Sequence, residues 1–435
     1  MTAEIAIMNR EAVAVAADSA VSLMIGMADR PEKIFTTANK IFSLSPGYSL
    51  CIMIYNYASF MGIPWETIIG LYRNKLGSVT FDTLFDFASH FIDFLTHDIE
   101  LVPRDVEEKF FITNVYAYFL SIRALIQQRA NELIEIQKAI SEENIQEIAQ
   151  TIILETHSGL ASAEFSLSMD ESHQKGIAAK YDEKISRAIT DIFEHIPLSG
   201  EVTQELKEIA AMFFVKSPGP LDPLHANFSG LVITGFGDKD IFPSLVAYSI
   251  EGRIGEILKY SETERNQITF EQGAYIVPFA QHEMVDIFLS GIDPKFEQAL
   301  IESLSASFHA LPEAIIDSIE SLDENERNLL KTNFTPTGDE LVRQLTEHLE
   351  NYRTFNYTPI VNVVASLPKS DLAAMAESMV NLTSLKRKVS LQAETVSGPV
   401  DVAVISKSDG FIWIKKKQYY QPELNPTGSG HGTTG

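Results

Sequence analysis

Cysteine is nearly missing from this chain. Of 435 residues only Cys51 carries a thiol, so no intramolecular disulfide can form and no cysteine-based metal cluster can assemble. That usage fits a reducing cytoplasm. Positive charge is also scarce, with 34 Lys plus Arg against 59 Asp plus Glu and a formal net charge of -25. A field of that sign repels phosphate backbones and anionic lipid, so nucleic acid is not an expected partner. Long apolar runs are missing too. The longest, Tyr48 to Ile63, is interrupted by Ser49, Asn56 and Ser59 and falls short of the roughly 18 to 20 residues that span a bilayer. The first residues carry Glu4 and Arg10 where a secretion signal needs an unbroken apolar stretch. No membrane association is expected. Nucleotide-binding loops of the G-x-x-x-x-G-K-[ST] or G-x-G-x-x-G type do not occur, and His90, His97, His157, His173 and His282 have no ligand spacing of the H-E-x-x-H kind. Neither cofactor nor metal is expected.

What is present is a composition that folds: 45% hydrophobic residues with moderate Gly (23) and Pro (18). Residues 4 to 8 and 12 to 17 read as two short strands turning at Asn9-Arg10-Glu11, and Lys40 to Leu44 with Leu50 to Tyr55 as a second pair around Ser45-Pro46-Gly47. From Ala58 the period becomes helical. Trp65, Ile68, Ile69 and Tyr72 mark one helix, and Phe81, Phe85, Ala88, Phe91, Ile92 and Leu95 a second. Beyond Pro103 a long helical tract repeats Phe111, Val115, Tyr118, Ile122 and Leu125 at intervals of four and three, and helical composition continues to the breakers Ser217-Pro218-Gly219-Pro220. Strand pattern returns at 230–234 and 245–250. A mixed segment follows, with a helix at Pro294 to His309, then a helix at Ser370 to Lys386 and a hairpin of Asp401 to Ser406 with Gly410 to Lys415. The order suits two packed sheets covered by helices, a layered α/β arrangement. The organisation expected is a core over 1–98, a helical insertion over 99–225, a central hairpin over 226–261, a second mixed or helical insertion over 262–360, a closing core segment over 361–422, and a Gly-rich tail over 423–435.

One positional feature carries chemistry. Thr2 follows Met1, and a small second residue favours removal of the initiator methionine. A free N-terminal threonine combines a hydroxyl nucleophile with an α-amine of ordinary pKa about 7.7 to 8.0, so it holds its own general base. A nearby cation favours the neutral amine, and a carboxylate must orient that cation. Such a site needs a lysine and an acid.

Residues 2 to 60 resemble the start of a proteasome β-type subunit, of the N-terminal nucleophile (Ntn) hydrolase superfamily. The strand Ala12-Val13-Ala14-Val15-Ala16-Ala17 ending in Asp18-Ser19 is similar to the family's, and the resemblance makes Asp18 the catalytic aspartate. Lys40-Ile41-Phe42 resembles the family's Lys-Ile strand start and makes Lys40 the catalytic lysine; Lys33, in Lys33-Ile34-Phe35, is the alternative by loop length. Late in the chain, Glu394-Thr395-Val396-Ser397-Gly398 resembles the family's Asp-x-x-Ser-Gly turn, with Ser397 the serine near the amine and Glu394 its supporting acid, Glu replacing Asp. The central hairpin with Gly237-Asp238 is also similar. Two departures stand out: Asn56, followed by Tyr57, replaces the glycine whose N–H lines the oxyanion hole, and the region Ile276 to Gln281 lacks the serine of a Gly-Ser-Gly turn.

The resemblance implies a four-layer αββα Ntn-hydrolase sandwich with large helical insertions. It implies a cytoplasmic threonine protease that hydrolyses peptide or protein substrates, with an apolar pocket lined by Met53 and Ile54 beside Asn56 and Tyr57. It further implies a homo-oligomer, as a ring or part ring, and an ATP-dependent unfoldase as partner. Two alternatives stay open: a non-catalytic α-type or scaffold subunit, and an Ntn amidase acting on small amides.

Overall fold

The computed structural model describes residues 3–23, 33–35, 37–44, 47–98, 101–167, 169–217, 228–255, 257–390 and 398–418. The chain is mixed α/β, 57% helical and 21% strand, with several antiparallel sheets. The elements up to the first helices are β1 (Ala3–Asn9), β2 (Ala12–Ala17), β3 (Val21–Leu23), β4 (Lys33–Phe35), β5 (Ile41–Ser43), β6 (Leu50–Asn56), β7 (Ser59–Phe60), β8 (Ile63–Pro64), α1 (Trp65–Leu76) and α2 (Leu84–His97). Then come α3 (Arg104–Gln137), α4 (Glu142–Ser162), β9 (Glu164–Phe165), α5 (Glu171–Phe193), α6 (Gly200–Val215), β10 (Lys216–Ser217), β11 (Ser229–Gly235), β12 (Ser244–Ile254) and β13 (Ile257–Gln267). The chain closes with β14 (Ala274–Ala280), α7 (Glu283–Ser290), α8 (Pro294–Ser318), α9 (Glu324–Val364), α10 (Lys369–Val389), β15 (Asp401–Ser406) and β16 (Gly410–Lys415). They divide into two compact units, one of 1–51, 234–244 and 266–435, the other of 52–233 and 245–265.

The first unit is organised by a five-stranded sheet in the order β14-β1-β2-β15-β16, with every described pairing antiparallel. β1 and β2 are buried along their whole length. Small alanines at 12, 14 and 16 let helices approach closely, so Ala3, Ile5 and Ile7 of β1 pack with Val285 of α7, Val364 of α9 and Leu372, Ala376 and Val380 of α10. Period two then sends Glu4, Ala6 and Met8 to the opposite face of the sheet.

The second unit contains the helices α1 to α6. Its core joins Phe111, Val115, Tyr118, Phe119, Ile122 and Ile126 of α3 to Ile153 of α4, Tyr181 and Ile185 of α5, and Leu206 and Phe214 of α6. The stripe on α3 departs from the sequence expectation at its last step. Leu125 is 49% exposed and Ile126 is 2% exposed, because repeated spacings at 3.6 residues per turn move the buried position one residue on. By length and composition α3 could cross a bilayer, with 33% of its apolar window buried; here the buried stripe is occupied by neighbouring helices. Strands β13, β12, β11 and β6 follow one another in a second sheet whose remaining strand is β5.

Two elements differ from the mixed segment expected over 262–360. β13 is a sheet edge whose residues Glu262 to Arg265 are all exposed, so it carries no inward-outward alternation to read. α9 runs for 41 residues with Pro336 and Pro359 inside it, residues that ordinarily break a helix; its long antiparallel neighbour α8 holds it. The turn 45–46, the breakers 218–220 and the tail 423–435 lie outside the described residues.

Candidate active site

The hairpin β1–β2 brings the start of the chain back against its own eighteenth residue. Asp18 donates its backbone N–H to the Ala3 carbonyl at 3.1 Å, and its carboxylate Oδ1 accepts the Ala3 N–H at 3.1 Å while Oδ2 accepts the Ala20 N–H at 3.1 Å. Asp18 is thereby fixed by backbone groups at both ends of the hairpin. The loop beyond it returns through the Ala38 N–H, which donates to the Ser19 carbonyl at 3.1 Å, and delivers Lys40 ahead of β5. Lys40 Nζ lies 2.5 Å from Asp18 Oδ1. Asp18 is 1% and Lys40 5% exposed, so the pair interacts with little screening by solvent. Lys33 lies on β4, paired with β3.

A third member of the cluster carried no signal as a site residue. Glu4, 2% exposed, places Oε1 3.1 Å from Lys40 Nζ. One ammonium is thus held between two buried carboxylates, one from each strand of the hairpin. Sequence reading gave Glu4 weight only as an interruption of an apolar stretch; alternation with Ala3 and Ile5 was the available hint that it leaves the helix-packed face.

Thr2, Glu394 and Ser397 lie outside the described residues. The residues next to them are described. Ala3, covalently joined to Thr2, is the residue whose N–H binds Asp18. Gly398, after Ser397, has φ 86°, a left-handed backbone that favours glycine. Ser19 Oγ donates to the Pro399 carbonyl at 2.5 Å, tying the residues after β2 to the segment that follows Gly398. Across the sheet Ala3 pairs with Ala280, whose φ of 58° is uncommon for a residue with a Cβ and is a local strain of about 1–2 kcal/mol. That strain falls at the end of β14.

In the second unit Asn56 has φ 68°. Asparagine is one of the few side chains that tolerate this conformation. The Asn56 amide is turned aside, donating Nδ2–H to the Phe228 carbonyl at 2.8 Å. Met53 and Ile54 are buried in β6, at 0% and 4% exposure. Neither lines the cavity beside them, which measures about 530 Å³ and is walled by Tyr57, Met61, Val106, Phe110 and Phe228, with Lys109 and Glu251 among its polar groups.

The α3 wall of that cavity is anchored by residues that sequence reading missed. Arg253, 2% exposed, places Nε 2.9 Å from Glu107 Oε1 and donates to the carbonyls of Leu95 (3.2 Å), Thr96 (3.2 Å), Asp98 (2.8 Å) and Val102 (2.8 Å). Glu107 Oε2 in turn accepts the Gly255 N–H at 3.0 Å. All three guanidinium nitrogens point to this one junction. The Phe110 ring lies where a Cβ on Gly252 would stand, 2.3 Å from it, so only glycine permits the contact. Among the described residues no group of three or more His, Cys, Asp and Glu side chains could hold a metal ion. No protein-family model and no curated protein sequence matches this chain.

Proposed function

We propose that this chain is a threonine-type Ntn hydrolase that cleaves peptide bonds, built on the four-layer αββα sandwich. The single observation that supports this reading is the buried Asp18–Lys40 pair whose carboxylate also binds the N–H of Ala3, the residue joined to Thr2. With Met1 removed, Thr2 Oγ attacks the substrate carbonyl carbon while the α-amine takes the hydroxyl proton. The tetrahedral intermediate collapses, the C–N bond breaks, and the amine passes its proton to the departing nitrogen. Water, deprotonated by the same amine, then hydrolyses the ester and restores Oγ–H. The Lys40 ammonium acts electrostatically, favouring the neutral amine, and Asp18 fixes its position. Ser397 and Glu394 are assigned as supports of the amine, and the N–H groups at Asn56 and Tyr57 as oxyanion donors.

A preference for apolar side chains in the substrate belongs to the same proposal. A cytoplasmic homo-oligomer and an ATP-driven unfoldase partner belong to the same proposal. Edge strand β16 exposes Ile412 at 45% and Ile414 at 54%, which supports self-association. One observation favours a non-catalytic scaffold subunit instead: Glu4 adds a second acid beside Lys40, offsetting the charge that catalysis draws on.

The test is covalent labelling. Native protein treated with a peptide carrying a carbonyl-reactive electrophile gains one adduct per chain, located by mass spectrometry on an amino-terminal peptide that begins at Thr2. Thr2→Ala loses the adduct and all peptide cleavage while keeping its melting temperature. Retention of Met1 with no adduct would turn the conclusion to the scaffold subunit.

A further inference from the structure

We infer that the cavity of the second unit is a binding site for a small organic anion, a molecule with an apolar body and a single carboxylate that meets Lys109. The inference goes beyond the hydrolase reading and does not depend on it. Every lining residue lies within 52–233 or 245–265, and α3 supplies Val106, Lys109 and Phe110, from the segment that the sequence marks as a helical insertion. The resemblance to the Ntn hydrolases does not extend to that wall. The volume of about 530 Å³ falls within the roughly 300–1,000 Å³ of small-molecule sites, and Tyr57, Met61, Val106, Phe110 and Phe228 make the walls mainly apolar. Those walls are also held in place. Arg253 and Glu107 fasten the start of α3, the Phe110 ring packs over Gly252, and Ser229 Oγ donates to the Ser59 carbonyl at 3.2 Å, joining β11 to β7. Met61 is strained. With Gly62 it forms the two-residue turn between β7 and β8, at φ 50° and 86°, a turn that ordinarily takes Asn-Gly. Its sulfur accepts the Arg253 N–H at 3.2 Å. A backbone held against its preference is expected where function outweighs stability, and here it sets a soft thioether in an apolar wall.

Two charged side chains of opposite sign line the cavity, Lys109 and Glu251. Glu251 is already engaged. Its Oε2 lies 2.7 Å from Lys259 Nζ, and Lys259, 1% exposed, also donates to the Phe213 carbonyl at 2.9 Å. Lys109 is exposed on α3, and its ammonium has no carboxylate within ion-pair distance among the described residues; Glu108 beside it is bound to Lys184. Lys109 therefore offers the charge for a ligand, and the walls call for a hydrocarbon body. A single cation in apolar surroundings balances a monoanion such as a carboxylate, not a phosphate dianion. The net charge of -25 works against collecting anions at long range. Selectivity for an anion has to come from Lys109 itself, which makes that residue the decisive one to change.

The experiment is calorimetric titration of the full chain with decanoate, and with decanol and decylammonium as probes of the same body and different charge, all below their micellar concentrations. Decanoate is expected to bind once per chain in the micromolar range, about tenfold more tightly than decanol, with decylammonium the weakest of the three. Lys109→Met, at an exposed position, should weaken decanoate about tenfold and leave decanol unchanged. Thr113→Trp fills the cavity from another exposed position of α3 and should abolish binding of all three probes while the melting temperature is kept. The inference is overturned if decanoate binds no tighter than about 1 mM, if decylammonium binds as tightly as decanoate, or if the decanoate affinity is indifferent to either substitution. Binding of these probes needs neither a free Thr2 nor turnover. Absence of peptide cleavage would thus sink the hydrolase reading and leave this one standing, and cleavage by a chain that takes up no decanoate would do the reverse.

Discussion

At the residue scale the molecule turns on how a charge is held in a dry place. Lys40 has two carboxylate neighbours, whereas Asp18 has backbone N–H donors in addition to the lysine. Removing the cation therefore does more harm than removing one anion. Lys40→Met strands two buried acids and is expected to destabilise by about 3–5 kcal/mol, while Asp18→Asn, with Glu4 still on Lys40, should cost about 1–3 kcal/mol. Urea unfolding at pH 7 measures both, and the reverse ranking would refute this account. How far this site was legible is instructive residue by residue. Asp18 and Lys40 were read through resemblance, and loop length left Lys33 open; the backbone bond from Ala38 to Ser19 is what shortens the reach to Lys40, and no spacing rule encodes it. Glu4 and Arg253 were illegible because a buried charge is defined by a partner distant in sequence, 36 residues away for Glu4 and 146 for Arg253.

At the element scale local pattern sufficed where an element has two unlike faces. β2, β15 and β16 begin and end at the expected residues, and α10 extends the expected helix by one residue at its start and three at its end. It failed where a long stretch of an element is exposed, as over Glu262 to Arg265 of β13 and along much of α9. Close packing between elements rests on absent side chains. A Cβ on Gly230 would stand 2.1 Å from the Tyr55 ring, so Gly230→Ala displaces that ring from its packed position and should destabilise by about 1–3 kcal/mol, read as a lower urea midpoint with an unchanged slope. α7 is pinned differently. Glu283 reaches Lys295 of α8 at 2.5 Å and Lys386 of α10 at 3.1 Å, and hydrogen bonding to Lys295 in the first place holds its carboxyl down at about 2 against an ordinary 4.5. A depressed folded pKa contributes stability above the unfolded value and loses it as pH falls through the folded one. Wild type should thus melt higher than Glu283→Gln at pH 6, with the gap closing between about pH 4.5 and pH 2; a gap independent of pH would refute the charge-based account.

At the scale of the whole molecule the net charge of -25 works against compactness. Self-repulsion is screened as the Debye length falls from about 10 Å at 0.1 M salt to about 3 Å at 1 M. The melting temperature should accordingly rise with added sodium chloride, and a fall would show that local ion pairs such as Lys415–Glu377 and Lys417–Asp401 outweigh the global field. These pairs also account for the basic run Lys415-Lys416-Lys417, which holds its own strand in place, with Lys416 over the Trp413 ring at 4.8 Å. The central sheet of the first unit, finally, draws its strands from both ends of the chain: β1 pairs with residues 274–280 and β2 with 401–406. On a ribosome adding about 5–20 residues per second, the opening hairpin is out of the tunnel long before either partner strand exists. The hairpin waits for both partners, and the sheet that encloses Asp18, Lys40 and Glu4 closes only near the end of synthesis. The order of translation thus separates the folding of the hairpin from the closing of the sheet around its charged cluster.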